Sequence, residues 1–256
     1  MLALEAIERF YSLKEFDNLQ EEINQKKLEI RRKGLLFHVI LALKSYSGGA
    51  RNILDVGGGS GVNLSIYGHE INCSELYCVD LREPGEEIPG VHYVHSAAEK
   101  LNSLNLPMFD CVVMTEVIEH ILDPDRVIKQ IMDKLNYNGI LILTTPNLSG
   151  LVNILTLALN YQPVDTEVSA SRTYGRPFVR NGETVGHIRV FTLRALEELM
   201  EYHNMRILRS GTVGRITSSK YKGSMPIRLV NTVDRLASKI IKFGGSRSYI
   251  VAQKVE

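Results

Sequence analysis

The segment 52–61, Asn-Ile-Leu-Asp-Val-Gly-Gly-Gly-Ser-Gly, constrains the fold more than any other part of the chain. Its apolar first half predicts a short buried strand, and the apolar residues after Gly61 predict the start of a helix. Gly57, Gly59 and Gly61 let the backbone turn tightly and approach a ligand without a Cβ in the way. A strand, a glycine loop and a helix in this order form the unit with which doubly wound α/β proteins hold a nucleoside cofactor.

Two details of this loop distinguish between the possible cofactors. The dinucleotide fingerprint G-x-G-x-x-G, counted from Gly57, requires a glycine where this chain has Val62. Asp55, two residues before the first glycine, would repel a pyrophosphate but would attract an ammonium group. S-Adenosyl-L-methionine carries an ammonium and a sulfonium group and no phosphate. The loop therefore favours this methyl donor over the nicotinamide dinucleotide of an oxidoreductase.

A second acidic residue stands where ribose recognition needs one. The apolar run Leu76–Val79 predicts a strand that ends at Asp80, about 20 residues after the loop, which is the usual spacing. A carboxylate there can accept hydrogen bonds from both ribose hydroxyls. The alternative is that Asp80 is a solvated acid at a strand end beside Arg82. The glycine loop favours the ribose-binding interpretation, because both features belong to the same kind of cofactor site.

Strand and helix patterns alternate along the chain and predict an α/β fold with a doubly wound, mainly parallel, seven-stranded sheet. Strands are predicted at 52–56, 76–80, 91–95, 109–114, 140–144, 206–212 and 249–252, and helices at 124–136, 192–203 and 226–243. Residues 1–47 predict an N-terminal helical cap, and residues 48–256 a single domain. Within that domain, the Pro- and Gly-punctuated stretch 146–190 predicts a lid or substrate insertion after the fifth strand.

Composition excludes several classes of protein. The 256 residues are 44% hydrophobic and 23% charged, which is ordinary for a globular chain. The net charge of +1 gives no general nucleic-acid signature. From Arg206 onward, however, the chain has eleven Lys and Arg residues and only two acidic residues. No apolar run approaches the ~18 residues of a spanning helix, and no signal-peptide pattern is present. These features and three unpaired cysteines predict a cytoplasmic protein.

The most specific motifs follow the third predicted strand. Residues 109–120 read Phe-Asp-Cys-Val-Val-Met-Thr-Glu-Val-Ile-Glu-His, and Asp123-Pro124 and Thr145-Pro146-Asn147 follow them. Together with the glycine loop, this pattern resembles the class I S-adenosylmethionine-dependent methyltransferases over residues 50–148. Within that class it is most similar to the ubiquinone-biosynthesis O-methyltransferase branch. The resemblance implies a Rossmann-like fold and methyltransferase activity.

The same resemblance implies roles for individual residues. Asp55, Gly57, Gly59 and Gly61 would surround the methionine part of the cofactor, and Asp80 would bind its ribose. Leu81 would pack against adenine, and Thr115 would line the floor of the crevice. Ala97 stands where the family often has an acid that contacts the adenine amino group, so a contact there would use backbone groups.

Methyl transfer requires alignment of the acceptor, and a hydroxyl acceptor also benefits from a base. Glu116, Glu119 and His120 are spaced i, i+3 and i+4, and would share one face if helical. We predict His120 as the base, supported by Glu116, with His187 as a second base and no metal. Two alternatives stay open. The three residues could be structural, or they could bind a divalent cation, as the resemblance to ubiquinone-type and small-RNA 3′-terminal ribose methyltransferases suggests, with His187 as a fourth ligand.

The acceptor is less well defined than the cofactor. No Asn/Asp-Pro-Pro-aromatic motif follows the fourth strand, and no cysteine lies in a predicted loop near it, so we predict an oxygen acceptor. The prediction is O-methylation of a small-molecule, glycan or lipid-linked acceptor, and nucleic acid is not expected. The alternatives are an RNA-terminal ribose methyltransferase and a peripheral membrane or binding module with a non-catalytic nucleoside site. In such a module, and equally in an active enzyme with a lipid-linked substrate, the basic and apolar segment 226–243 could contact anionic lipid.

Overall fold

The structure, a computed structural model, describes residues 26, 34–84, 87–177, 184–214 and 225–255. Most of the predicted cap at 1–47 lies outside these residues. Its described end forms helix α1, Leu35–Tyr46. Leu36, Val39 and Leu43 recur at helical spacing and are buried against the sheet, so α1 covers one sheet face.

Strands and helices alternate after α1. In chain order they are β1 (Asn52–Val56), α2 (Val62–Ile71), β2 (Glu75–Asp80), β3 (Val91–His95), a 3-10 helix (Ala98–Ser103), β4 (Phe109–Thr115), a 3-10 turn (Ile118–His120), α3 (Pro124–Lys134), β5 (Leu135–Pro146), α4 (Leu151–Ala158), α5 (Leu193–Tyr202), β6 (Met205–Val213), α6 (Met225–Ile240) and β7 (Arg247–Lys254).

The seven strands form one sheet in the order β3-β2-β1-β4-β5-β7-β6. The strands β1 to β5 are parallel, and β7 runs antiparallel to both β5 and β6. The strand order reverses between β1 and β4, and ligands bind at the carboxyl ends of strands that flank such a reversal. The predicted fold class, a doubly wound and mainly parallel sheet, is confirmed.

Alternate residues of the central strands belong to two hydrophobic clusters, one on each face of the sheet. Leu54, Val112 and Leu141 belong to one cluster, and their neighbours Ile53 and Val113 belong to the other. The three cysteines are buried free thiols, and burial raises the pKa of Cys111 to about 12, so this thiol is not poised as a nucleophile. None of the described helices is long and apolar enough to cross a membrane.

Several element boundaries differ from the sequence prediction: α6, for example, ends at Ile240 rather than at 243, and the largest difference lies between α3 and β5. Helix α3 ends at Lys134, two residues earlier than predicted, and β5 already begins at Leu135. The pairing of β5 with β4 shifts register between Phe109 and Cys111, and this irregularity accommodates Asn138-Gly139 within the strand. The insertion 146–190 also contains a helix, α4, which its prolines and glycines flank but do not interrupt. Whether the insertion acts as a lid stays a prediction.

Candidate active site

The glycine loop joins β1 to α2 at the carboxyl edge of the sheet. Gly57, Gly59 and Gly61 have φ values of +76°, +60° and +76°, which side chains disfavour. Space is restricted as well, because a Cβ on Gly57 would lie 2.3 Å from Cγ2 of Val117, and one on Gly61 would lie 2.5 Å from the Tyr93 hydroxyl oxygen. The path of the loop itself therefore requires glycine at these positions.

A cavity of about 220 Å³ lies beside the loop, between the carboxyl ends of β2 and β4. Five of the predicted site residues line it: Gly57, Asp80, Leu81, Glu116 and His120. The rest of its wall consists of Val79, Arg82, Ser96, Ala98, Glu99, Val117 and Ile121. Six predicted residues do not contribute to this wall: Asp55, Gly59, Gly61, Ala97, Thr115 and His187.

The carboxylate of Asp80 connects the cavity to the loop. One oxygen accepts a hydrogen bond of 2.8 Å from the Gly59 N–H, and the other accepts one of 2.8 Å from the Arg82 N–H. Each carboxylate oxygen has two lone pairs, so one acceptor position per oxygen is left by these bonds. Arg82 Nε lies 3.5 Å from Oδ1 of Asp80, as the alternative interpretation expects, but the Asp80 side chain is only 12% exposed and is therefore not solvated.

Asp55 lies beneath the loop and is fully buried. A Cβ on Gly58 would stand 3.0 Å from one of its carboxylate oxygens, and neither oxygen has a hydrogen-bond partner among the described residues. Burial, and secondly the charge of Asp80, raise the pKa of Asp55 to about 7. A buried carboxylate without a donor is destabilised, and a nearby cation relieves this destabilisation. Asp55 therefore suits the ammonium group of a ligand held on the loop.

The predicted common face of Glu116, Glu119 and His120 is not formed. Glu116 has a φ of +56°, and only Ile118–His120 make a 3-10 turn, so the two carboxylates diverge. Glu116 lies at the cavity wall, where its Oε2 is 2.7 Å from Nε of Arg247. Glu119 points into the protein, is fully buried, and accepts a hydrogen bond of 2.9 Å from the Thr145 hydroxyl.

Glu119 lies close to a residue from the distant insertion. Its second oxygen, Oε1, has no hydrogen-bond partner among the described residues and is 4.0 Å from Nε2 of His187. Burial, and next the negative charge of Glu116, raise the pKa of Glu119 well above its ordinary value. Oε1 of Glu119 can therefore take up a proton or contact a cation beside the His187 imidazole.

The rings of His120 and His187 are 5.0 Å apart, centroid to centroid. Nδ1 of His120 is 2.9 Å from the Gly186 carbonyl oxygen, and Nδ1 of His187 is 2.6 Å from that of Asp165. A carbonyl oxygen only accepts, so each Nδ1–H donates, and the lone pair of each neutral ring is at Nε2. Ligand atoms of Glu119, His120 and His187 all lie within 4.8 Å of one another.

Glu167, which sequence analysis did not identify, holds the segment that carries His187. Its buried carboxylate accepts hydrogen bonds from three consecutive N–H groups, those of Val185, Gly186 and His187, at 2.7, 2.8 and 3.1 Å. It also pairs with Arg176 at 3.2 Å. Because the Gly186 carbonyl orients His120, this one carboxylate positions both histidines. A glutamate inside a loop carries no pattern from which such a role can be predicted.

Arg247, at the start of β7, is a second residue that the sequence did not single out. Its guanidinium bridges Glu116 at the cavity wall and Asp165 of the insertion, at 2.7 and 3.0 Å. The two carboxylates raise the pKa of Arg247 against the opposing effect of burial, so it remains charged. The carbonyl of Asp165 accepts from His187, so the ion pairs connect β4, the insertion and β7 around the histidines.

The sheet order, the glycine loop and Asp80 at the end of β2 define a class: Rossmann-like proteins that bind a nucleoside cofactor. A family model described as a methyltransferase domain matches residues 27–210, more than half of the chain. The chain belongs to this methyltransferase family. It is an S-adenosylmethionine-dependent methyltransferase, and S-adenosylmethionine is its cofactor.

Solved structures with the same fold include three kinds of methyltransferase. An S-adenosylmethionine-dependent methyltransferase from Archaeoglobus fulgidus is 20% identical with a TM-score of 0.53, over 90% of this chain and 99% of that one. The plantazolicin methyltransferase BpumL, solved with a desmethylPZN analog and SAH, is 14% identical with a TM-score of 0.57, over 100% and 97%. A putative methyltransferase in complex with the Haloferax volcanii Trm112 activator is 11% identical with a TM-score of 0.59, over 98% of each chain.

At these identities the three structures show a shared fold and do not define the acceptor of this chain. No curated protein matches the sequence.

Proposed function

We propose that this chain methylates an oxygen atom of a small-molecule, glycan or lipid-linked acceptor, with His120 as the general base. One observation carries the proposal. His120 lines the cavity, and the Gly186 carbonyl orients its ring so that the lone pair of the neutral imidazole is at Nε2. The plantazolicin enzyme, whose fold is similar, supports a small-molecule acceptor. Membership of the ubiquinone-biosynthesis branch, suggested by the Glu-x-x-Glu-His pattern, is part of the proposal.

In this proposal, the loop and Asp80 hold the cofactor. Asp80 accepts hydrogen bonds from the ribose hydroxyls, and the negative charge of Asp55 beneath the loop attracts the ammonium group. Leu81 contacts adenine from the cavity wall. Ser96 and Ala98 line the wall on either side of Ala97, which supports a backbone contact to adenine in this segment. Thr115 supports the crevice floor from behind the wall.

The chemical step is an in-line displacement. The acceptor oxygen attacks the methyl carbon, the carbon–sulfur bond breaks, and its electron pair stays on sulfur, which becomes a neutral thioether. His120 takes the hydroxyl proton, a contribution that typically amounts to about 10²–10⁴ in rate. Glu116, which lines the same wall and is held by Arg247 at 2.7 Å, supports the resulting imidazolium. His187 is the second base candidate, one ring away.

A cation-assisted form of the same reaction is favoured by one further observation, the 4.8 Å group of Glu119, His120 and His187. Two imidazole nitrogens and a carboxylate oxygen are suitable ligands for a first-row divalent cation. Such a cation would lower the pKa of the acceptor hydroxyl. Glu116 is paired with Arg247, so His187 takes the place that the sequence hypothesis gave to Glu116.

Transfer of label from S-adenosylmethionine to phenols, glycans, lipid-linked compounds and RNA tests the proposal, since it defines the acceptor before any variant is compared. With the best acceptor, His120→Ala should lower turnover by roughly 10²–10⁴ and leave the affinity for S-adenosylhomocysteine unchanged. His69→Ala, which removes an exposed histidine at the end of α2, is the matched control.

Metal dependence separates the two mechanisms. If a cation is required, Glu119→Gln, His120→Ala and His187→Ala should be similarly damaging, and activity should disappear with a chelator and return with added divalent cation. A base mechanism predicts activity that a chelator does not change. A fully active His120→Ala variant with chelator-insensitive activity would contradict both mechanisms.

A further inference from the structure

Helix α4 and the turn after it present hydrophobic side chains to solvent. Residues 148–164 contain no charged residue. On the inner side of α4, Val152, Asn153 and Thr156 are buried. Five large apolar side chains on the outer side are exposed, and Leu157 and Leu159 are 64% and 70% exposed: Ile154, Leu155, Leu157, Leu159 and Tyr161. The helix is therefore apolar on both sides, unlike an ordinary surface helix.

Helix α6 presents a second apolar stripe. Leu229, Leu236 and Ile240 recur at helical spacing on α6, and Phe243 lies in the turn after the helix. All four side chains are exposed, and Ile240 is 80% exposed. The opposite side of the helix is buried through Asp234 and Ala237. These two segments hold nine of the seventeen large hydrophobic side chains exposed in the described residues. Such a concentration marks an interaction surface rather than scattered surface residues.

The two stripes are neighbours. Helices α4 and α6 contact each other, the Leu151 N–H donates to the Gly244 carbonyl at 2.9 Å, and the Asn147 amide donates to the Phe243 carbonyl at 2.8 Å. We refer to the exposed apolar residues of 154–161 and 229–243 together as the α4/α6 face.

The charge around the α4/α6 face is positive. Arg235 and Lys239 are exposed on α6, whereas Lys242 is paired with Glu197. The one acid within 225–255 is Asp234, which is buried and accepts a hydrogen bond from the Ser246 hydroxyl. Apolar side chains with a cationic rim complement a bilayer that contains anionic lipid, where each nearby cation adds about fivefold in affinity. A second copy of the face would bring like charges together.

We propose that the α4/α6 face binds the surface of an anionic lipid bilayer. Helix α4 follows the carboxyl end of β5, at the same sheet edge as the cavity, so binding would bring the active site to the membrane surface. Among the acceptors considered above, this favours a lipid-linked one, a step that rests on the proposed function. The binding itself does not depend on catalysis.

Co-sedimentation with vesicles tests the proposal, using phosphatidylcholine alone and phosphatidylcholine mixed with phosphatidylglycerol. The chain should bind the anionic vesicles at low salt and lose affinity as the salt approaches 0.1 M and beyond, where charges are screened within about 10 Å. The double substitution Leu157→Ser and Ile240→Ser should lower the affinity at least about tenfold, because two inserted side chains are lost. Lys239→Gln should lower it about fivefold.

Two matched controls should bind like the parent. Tyr137→Ser removes a side chain that is 71% exposed at the opposite, amino end of β5, and Lys129→Gln removes an exposed charge on α3. Absence of binding at low salt, or equal loss in the controls, would overturn the proposal. So would a stable dimer in sedimentation velocity that the double substitution dissociates, because a second copy would then cover the face. None of these results would bear on methyl transfer.

Discussion

The buried carboxyl of Asp55 allows a prediction whose size follows from its environment. Its pKa is about 7 in the folded chain, and its ordinary value, expected in the unfolded chain, is 3.8. Below the lower value both states are protonated and the group has no effect on stability. As the pH rises from there to about 7, the unfolded state ionises first, so the stability of the folded state falls. Above a pH of about 7 both states are ionised, and the loss of folding stability is complete.

The magnitude of this effect is about 4 kcal/mol, because each pKa unit between the two states corresponds to about 1.4 kcal/mol. The group is fully buried, so solvent screening does not reduce this value appreciably. Asp55→Asn keeps the shape and cannot ionise. Relative to the parent, the variant should therefore gain about 3 kcal/mol of unfolding free energy between pH 5 and pH 8. For a chain of this size, that corresponds to a change in Tm on the order of 10 °C.

Thermal unfolding of both ligand-free proteins across this pH range measures the difference directly. Any pH-independent cost of the buried amide cancels, because only the change with pH is compared. A difference in Tm that stays constant from pH 5 to pH 8 would refute the assignment of a raised pKa to Asp55.

Binding of the cofactor should lower the pKa of Asp55 again. An ammonium group near the loop favours ionised Asp55, so S-adenosylhomocysteine should bind more weakly at pH 6 than at pH 8 and release a proton at pH 6. Calorimetry in two buffers with different ionisation enthalpies measures the proton. A binding enthalpy that is equal in both buffers would mean that Asp55 does not interact with the ammonium.

Three further predictions concern other parts of the site. Asp80→Ala should weaken S-adenosylhomocysteine binding tenfold or more in calorimetry, because a hydrogen bond to a charged group contributes about 1.5–3 kcal/mol; unchanged affinity would contradict the ribose assignment. Glu167→Gln should lower kcat by tenfold or more at unchanged cofactor affinity, because an amide nitrogen would face backbone N–H donors; a parental kcat in steady-state assays would exclude its positioning role. Arg247→Met should lower the free energy of unfolding by about 1–3 kcal/mol, since it leaves the partly buried carboxylates of Glu116 and Asp165 without their charged partner; an unchanged free energy on denaturant unfolding would contradict the observed network.

The fold was predictable because its signals are local. The predicted strands at 52–56, 76–80 and 109–114 are each specified by their own apolar residues, and glycines mark the end of the first one. Alternation of such strands with helices permits few topologies. The boundaries at Lys134 and Leu135 were missed because they depend on pairing with β4 rather than on the sequence of the helix.

The arrangement of the candidate catalytic residues was predicted only in part, because the condition for a shared face, a helix at 116–120, is not met. The spacing of Glu116, Glu119 and His120 suggests a shared face only if the segment is helical, and the left-handed φ of Glu116 separates the two carboxylates. His187 was identified as a second base or a ligand, but its distance from His120 depends on Glu167, which belongs to the same insertion. Local spacing cannot encode such a contact.

The sequence alone thus determined the sheet, the glycine loop and the class of cofactor, since these depend on short-range patterns of apolar residues, glycines and acids. The tertiary structure decided which side chains share a site. Asp165 and Glu167 of the insertion contact His187, and Arg247 of β7 pairs with Glu116 and Asp165 beside it. The exposure of the α4/α6 face likewise depends on packing, because sequence alone does not show which apolar residues the rest of the described chain leaves uncovered.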